Sequence, residues 1–271
     1  MFAHLTALNR DRHAATRVRP LTGFAHAARL HVAGVVAQEF PRAAALYPLV
    51  FLKDPASARF RPVALLGLTE GQNLFVDEAG RWKASYVPAT IRQYPFNLAL
   101  KEETPADFVV CVDEGSDCLG QEEGEPLFGS EGNPTPVLQG VVKYLTDLQQ
   151  MDVQTQAFCQ FLAERDLLVP LNMQLHSGSG VKNIQGSFAI NESLLAALPH
   201  EQFIAMRERG YLPAVYAHLM SLTQIERLIQ LAEDVQKPTQ PQQDPAQNAA
   251  SSPKATDKPA RKGRSTRRAK A

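Results

Sequence analysis

The residues best equipped for recognition chemistry lie in one run, GQNLFVDEAGRWKASYVPATIRQYPF, from Gly71 to Phe96. It holds the chain's only tryptophan, Trp82, together with Tyr86, Arg92 and Tyr94. Aromatic rings beside a guanidinium make good interface anchors, because they bury a large area and keep a polar handle. Trp82 and Tyr86 are an even number of positions apart, so on one strand they share a face with the small Ala84 between them. That face fits a groove floor, and it fits equally an aromatic pair packed under a helix. Arg92 and Tyr94 follow Pro88 in a stretch with the character of a short helical turn. These four residues form the candidate partner-binding set.

Patterns that would specify a reaction are missing. There is no GxxxxGK[ST] phosphate loop, and SGSGVKN, with Gly178 and Gly180, does not continue as GxGxxG. HSGSG also departs from a nucleophile elbow, because Ser177 stands where the first glycine is required. The seven histidines form no HExxH, HxH or HxD/E pair. His26 and His31 are five apart, off the spacing that would align them on one helical face. His218 is expected to be half-buried or exposed rather than a ligand. An EF-hand started at Asp113 fails, with Gly115, Cys118 and Gly124 at positions 3, 6 and 12. Cys111, Cys118 and Cys159 form no CxxC and read as reduced thiols. No metal and no cofactor are expected, and catalytic residues stay unassigned.

Charge divides the chain. Residues 237–271 carry nine Lys/Arg against two Asp/Glu, which leaves 19 basic and 26 acidic residues in 1–236. The tail is rich in Pro, Gln, Ala, Ser and Lys with almost nothing apolar to bury, so disorder is expected there. A merely solubilising extension is the favoured reading of the tail, with weak polyanion contact through Arg261, Lys262, Arg264, Arg267 and Arg268 as the alternative. The tail has no aromatic residue for base stacking, so no specific nucleic acid is expected. No stretch of 18 apolar residues occurs, so no transmembrane segment is expected. The N-terminus is broken by Asn9, Arg10, Asp11 and Arg12 before a signal peptide could form, which points to the cytoplasm.

The elements that must position the aromatic run are strands first and helices later. YPLVFLKD and FRPVALLGL read as strands joined by a turn at PASAR, and DFVVCVD as a further buried strand. NLFVD and WKASYVP flank Glu78–Arg81, where Gly80 can take positive φ, so a hairpin is expected. HVAGVVAQEFPRAAALY could hold a helix that Pro41 breaks or starts. DEGSDCLGQEEGEP reads as an acidic loop. Thr135 as N-cap and Pro136 at the first helical position open a helix of about 30 residues. Its apolar positions are Leu138, Val141, Val142, Leu145, Leu148, Phe158, Phe161 and Leu162, and a bend within it is compatible with its length. LLVPLNMQL and IQGSFAI look like strands joined by a HSGSGVKN loop. Pro199 and Gly210 bracket a helix, and Thr223 with Glu226 has capping-box spacing for another, with Leu222, Ile225, Ile229 and Ala232 inward. The order implies an α+β domain over 1–236, with a strand-rich N-terminal half, a long helix and a helical C-terminal part, followed by the tail at 237–271.

YPLVFLKD, FRPVALLGLTEGQNLFVDEAGRWKASYVPATIRQYPF, LFGSEGNPTPVL and LPAVYAHLMSLTQIERLIQLA together resemble the bacterial SapC family, over roughly His4 to Val235. The resemblance implies a link to bacterial surface layers or to transport and supplies no catalytic residues. The function expected is a non-enzymatic accessory protein that recognises a protein or peptide partner. An enzyme of unrecognised type acting on peptides or small molecules, and a structural component of a surface layer, are the alternatives.

Overall fold

The structure is a computed structural model that describes residues 1–100, 108–171, 173–177, 180–184 and 186–236. Met1–Gln236 clusters as one compact unit. The expectation of a disordered tail, with its five candidate basic residues, lies outside the described residues.

The chain begins with β1 (Leu5–Ala7), a helical turn α1 (Arg10–His13), β2 (Arg17–Val18) and β3 (Val32–Gly34). A second turn, α2 (Phe40–Ala43), leads into the hairpin of β4 (Leu49–Lys53) and β5 (Phe60–Leu65). The turn α3 (Ala89–Arg92), β6 (Phe96–Leu100), β7 (Phe108–Asp113), β8 (Leu119–Gly120) and β9 (Glu125–Pro126) precede the long α4 (Pro136–Ala163). Then come β10 (Leu168–Pro170), β11 (Met173–Ser177), β12 (Gly180–Ile184) and β13 (Ser187–Ile190). The helices α5 (Glu192–Ala196), α6 (His200–Glu208), α7 (Leu212–Ser221) and α8 (Gln224–Gln236) complete the order. This is the α+β arrangement read from the sequence.

Strand residues point alternately to the two faces of a sheet, so three consecutive buried residues mean that both faces are covered. Leu49, Val50 and Phe51 are all fully buried, and β4 accordingly sits inside an antiparallel sheet of order β10-β13-β4-β5-β3. The PASAR turn before β5 is held by Asp54, whose Oδ1 accepts from the backbone N–H of Ala56 and Ser57 at 2.8 and 3.1 Å. α7 packs on β4 and β13, while α4 runs along β5 and β6. Smaller sheets of order β1-β7-β6 and β8-β2-β9 hold the acidic segment, where short strands replace the expected continuous loop. The HSGSGVKN stretch is also not a simple loop. β11 pairs with β12 in the register Met173↔Ile184 to Ser177↔Gly180, so β10 and β13 are joined by a further hairpin. Apolar Met173 and Leu175 alternate with polar neighbours, which is the strand period.

α4 starts as expected, with the Thr135 hydroxyl accepting from Leu138 N–H at 3.4 Å and Pro136 in the first turn. It runs unbroken for 28 residues and buries Leu138, Leu145, Leu148, Phe158, Phe161 and Leu162. Val142 is 41 % exposed, because it lies off the 138–141–145–148 stripe that meets the sheet. α6 follows Pro199 and ends before Gly210 at φ +70°. Before α8 the Thr223 hydroxyl donates to Met220 C=O at 2.8 Å. The inner face of α8 is Ile225, Leu228 and Ala232, with Ile229 only half-buried. HVAGVVAQEFPRAAALY holds a 3-10 turn at Ala37–Glu39 that leads into the turn α2, with Pro41 in its first turn, while Val32–Gly34 joins the sheet as an edge strand.

His218 corrects a second expectation, since it is fully buried. Its Nε2 accepts from the Ile190 N–H at 3.0 Å, satisfying a backbone donor at the end of β13. Burial lowers its pKa to about 4, so the ring is neutral. Packing of α7 onto β4 and β13 puts this histidine on the core side, which its position in the sequence alone does not reveal. No helix among the described residues is long and apolar enough to cross a membrane.

Candidate functional site: a groove beside Arg92 and Tyr94

The Gly71–Phe96 stretch begins with the expected turn. Asp77 Oδ1 accepts from Ala79 and Arg81 N–H at 3.0 and 2.8 Å, and Gly80 turns at φ +75°. Pairing then amounts to one isolated bridge, Val76↔Trp82, and a Lys83 N–H bond to Phe75 C=O at 2.8 Å. Trp82 and Tyr86 therefore do not share a face of one strand. The backbone leaves the ladder because side chains, not a neighbouring strand, take up its polar groups.

Trp82 is half-buried among Phe24, Tyr47 and Phe75, with ring centroids 5.6, 6.5 and 6.4 Å away. Its indole N–H donates to the Tyr47 hydroxyl at 2.8 Å, and that hydroxyl donates to the Tyr86 carbonyl. Tyr47 is fully buried, and desolvation pushes its pKa up to about 12. The Tyr86 hydroxyl donates to Glu39 Oε1 at 2.5 Å. Burial first, and then the Glu39 carboxylate, raise the Tyr86 pKa to about 12. Glu39 is 6 % exposed, and both of its carboxylate oxygens are engaged. Its Oε1 also accepts from Ala89 N–H at 2.7 Å, and its Oε2 from Val36 N–H at 3.1 Å. Trp82, Tyr86, Tyr47 and Glu39 thus form a satisfied polar-aromatic network that ties the start of α3 to the segment before α2.

Beyond Pro88 the same stretch turns outward. The exposed Arg92 donates from Nε to Val87 C=O at 2.9 Å. Its guanidinium carbon lies 5.7 Å from the Tyr86 ring centroid and 5.8 Å from that of Tyr144, so two π faces hold the cation. Tyr144, on α4, donates to Ala89 C=O at 3.0 Å, and burial raises its pKa. Tyr94 stacks on His26 at 4.0 Å with planes 9° apart, and Phe2 lies 5.8 Å away. Desolvation raises the pKa of Tyr94 and lowers that of His26. The Tyr94–Pro95 peptide is cis.

Arg92 and Tyr94 face a groove of about 470 Å³. Phe96, Val137, Gly140 and Tyr144 also line it, as do Arg19 and Glu125. Gly140 lies within α4, and a Cβ built there would meet nothing within 4 Å. Helix-interior glycine costs about 0.5–1 kcal/mol relative to alanine, so the fold forgoes stability where the groove stays open. Clefts of similar size lie at Phe60–Gln160 and at Gln38–Tyr211, and neither contains a candidate residue. Among the described residues no three His, Cys, Asp or Glu side chains are grouped to hold a metal ion.

The structure thus splits the candidate set, with Arg92 and Tyr94 on the groove and Trp82 and Tyr86 in the network behind it. Sequence reasoning missed Glu39, Tyr47, Gly140 and Tyr144. Glu39 had a signal, a lone carboxylate inside the apolar run VVAQEFP. Gly140 and Tyr144 are four apart on a helix already legible as amphipathic, so they share its outer edge with Val137 and Val141.

The sequence model of a family described as SapC matches residues 8–228, a span that contains all the residues lining the groove. No curated protein and no solved structure matches the chain.

Proposed function

The chain belongs to the SapC family, and from that premise we propose that it is a non-enzymatic, cytoplasmic accessory protein that holds an extended segment of a protein partner in the groove beside Arg92 and Tyr94. The observation that carries this reading is Gly140. A side chain there would clash with nothing and would strengthen α4, yet the position is bare and opens onto aromatic and aliphatic surface. An apolar groove with a few fixed polar groups suits an extended chain, whose side chains fill the hollow while its backbone stays at the rim. Trp82 and Tyr86 support the site from behind by fixing the backbone that presents Arg92. A partner linked to surface-layer or transport processes is in keeping with the resemblance to the SapC family.

The test is a photo-crosslinking amino acid at Val137, on the groove wall, in cells that naturally make the protein. One at Val153, 60 % exposed elsewhere on α4, serves as the control. A discrete protein adduct at 137 and not at 153 is expected. Identical adduct patterns at the two positions, or none at 137, would overturn the proposal.

A further inference from the structure

Arg92 is one of several cations of the acidic domain that form no ion pair among the described residues, and of these it is the one that lines the groove. Residues 1–236 hold seven more carboxylates than cations, so a basic side chain has partners to choose from. Arg12, Arg19, Arg81, Lys143 and Arg165 each form an ion pair with a carboxylate. Arg92 forms none among the described residues, although it is held by its Nε bond to Val87 and by the rings of Tyr86 and Tyr144. Glu39 does not pair with it, and three donors from Tyr86, Ala89 and Val36 already hold that carboxylate. A guanidinium carries five donors in a planar fork that matches a carboxylate, and prior fixation lowers the entropy lost on binding.

Resting on the proposed reading of the groove, we infer that the bound segment carries an Asp or Glu beside an aromatic or aliphatic residue. The carboxylate meets the fork of Arg92, and the apolar side chain fills the space over Gly140. The other two charged residues lining the groove limit the charge to one. Arg19 is already engaged, donating to the Asp117 carbonyl and pairing with Glu123 at 3.2 Å, and Glu125 repels a second acid. Complementarity between an acidic domain and an acidic ligand thus rests on the one cation lining the groove that forms no ion pair among the described residues, in a largely apolar setting where a charged hydrogen bond is worth more than in open water.

The experiment pans the full-length protein against random short peptides, acetylated and amidated at their ends so that side chains supply the only carboxylates. Binding is then measured for an enriched peptide and for its Glu→Gln or Asp→Asn counterpart. Enriched peptides are expected to pair one acid with an apolar neighbour, and neutralising the acid should weaken binding about tenfold or more. That difference should vanish with Arg92→Gln and shrink with Arg92→Lys, which keeps the charge and loses the fork. Gly140→Leu should abolish binding of both peptides while the thermal midpoint holds or rises. Neutral peptides that bind as well as acidic ones, and are still lost with Gly140→Leu, would leave the groove standing and sink the carboxylate. An acid preference unchanged by Arg92→Gln would also sink it. Enrichment found only with free C-termini would move the carboxylate to the chain end and overturn the side-chain assignment. No enrichment in either format would overturn the groove reading along with it.

Discussion

Trp82 and Tyr86, and Arg92 and Tyr94, come from one run of sequence with nearly the same chemistry, and the fold gives them opposite duties. Before Pro88, each polar atom of an aromatic side chain meets an internal partner, indole to Tyr47 and hydroxyl to Glu39. After it, Arg92 is fixed by its Nε and its ring neighbours, yet forms no ion pair among the described residues and faces a hollow. Aromatic and cationic character therefore does not mark a binding surface. What separates the two halves is whether the donors and acceptors are already used, because a satisfied buried network rigidifies and a fixed, unpaired cation can still bind.

The largest effect expected on that contrast is from Glu39→Ala. Removing the carboxylate leaves the Tyr86 hydroxyl and the N–H groups of Ala89 and Val36 without acceptors, and should cost about 3 kcal/mol. A fall in the thermal midpoint of about 6–12 °C is the corresponding reading for a domain of this size. Trp82→Phe keeps most of the packing and loses the N–H bond to Tyr47, so about 1 kcal/mol is expected in denaturant unfolding, with binding weakened only in proportion to the fold. If Trp82→Phe leaves stability untouched and abolishes binding, the division of the run at Pro88 is wrong.

Alkaline titration sharpens the contrast. Tyr47 and Tyr86 have pKa values raised to about 12 in the fold against an unfolded value of 10.0. The unfolded chain therefore loses these protons first, so their contribution is fully present below pH 10 and is lost as pH rises toward 12. Tyrosinate absorbance should show these two groups ionising with the loss of folded signal, and Tyr86→Phe should shift the alkaline transition. Smaller still, Gly140→Ala should stabilise α4 by about 0.5–1 kcal/mol while narrowing the groove. Arg92→Gln should leave stability within about 0.5 kcal/mol, as an exposed position allows, and act on binding alone.

Much of the architecture was legible because it rests on local chemistry. Thr135-Pro136 starts α4, Pro199 and Gly210 bracket α6, Gly80 turns the chain, and LVFL makes a strand covered on both sides. Each depends on backbone rules that act within a few residues. The short strands of the acidic segment and the burial of His218 were not legible, since each depends on a partner far along the chain, whereas the β11–β12 hairpin is local and its alternating Met173 and Leu175 were a signal the sequence reading passed over. His218 meets Ile190, and β2 meets β8 and β9, across gaps that no local pattern encodes.

The site divides in the same way. Composition and spacing alone determined that one stretch concentrates the aromatic and cationic side chains, that the domain around it is acidic, and that no familiar catalytic pattern is present. Only the tertiary structure decided which of those side chains are spent. Glu39 and Tyr47, 47 and 35 positions before Tyr86 and Trp82 and brought beside them by the fold, consume the polar groups of the first half, whereas α4 sets Gly140 and Tyr144 against the second and leaves a hollow. The physical reason is that a hydrogen-bonding group is neutralised or left available by its neighbours in space, and those neighbours are chosen by packing of the whole core rather than by the residues next to it in the chain.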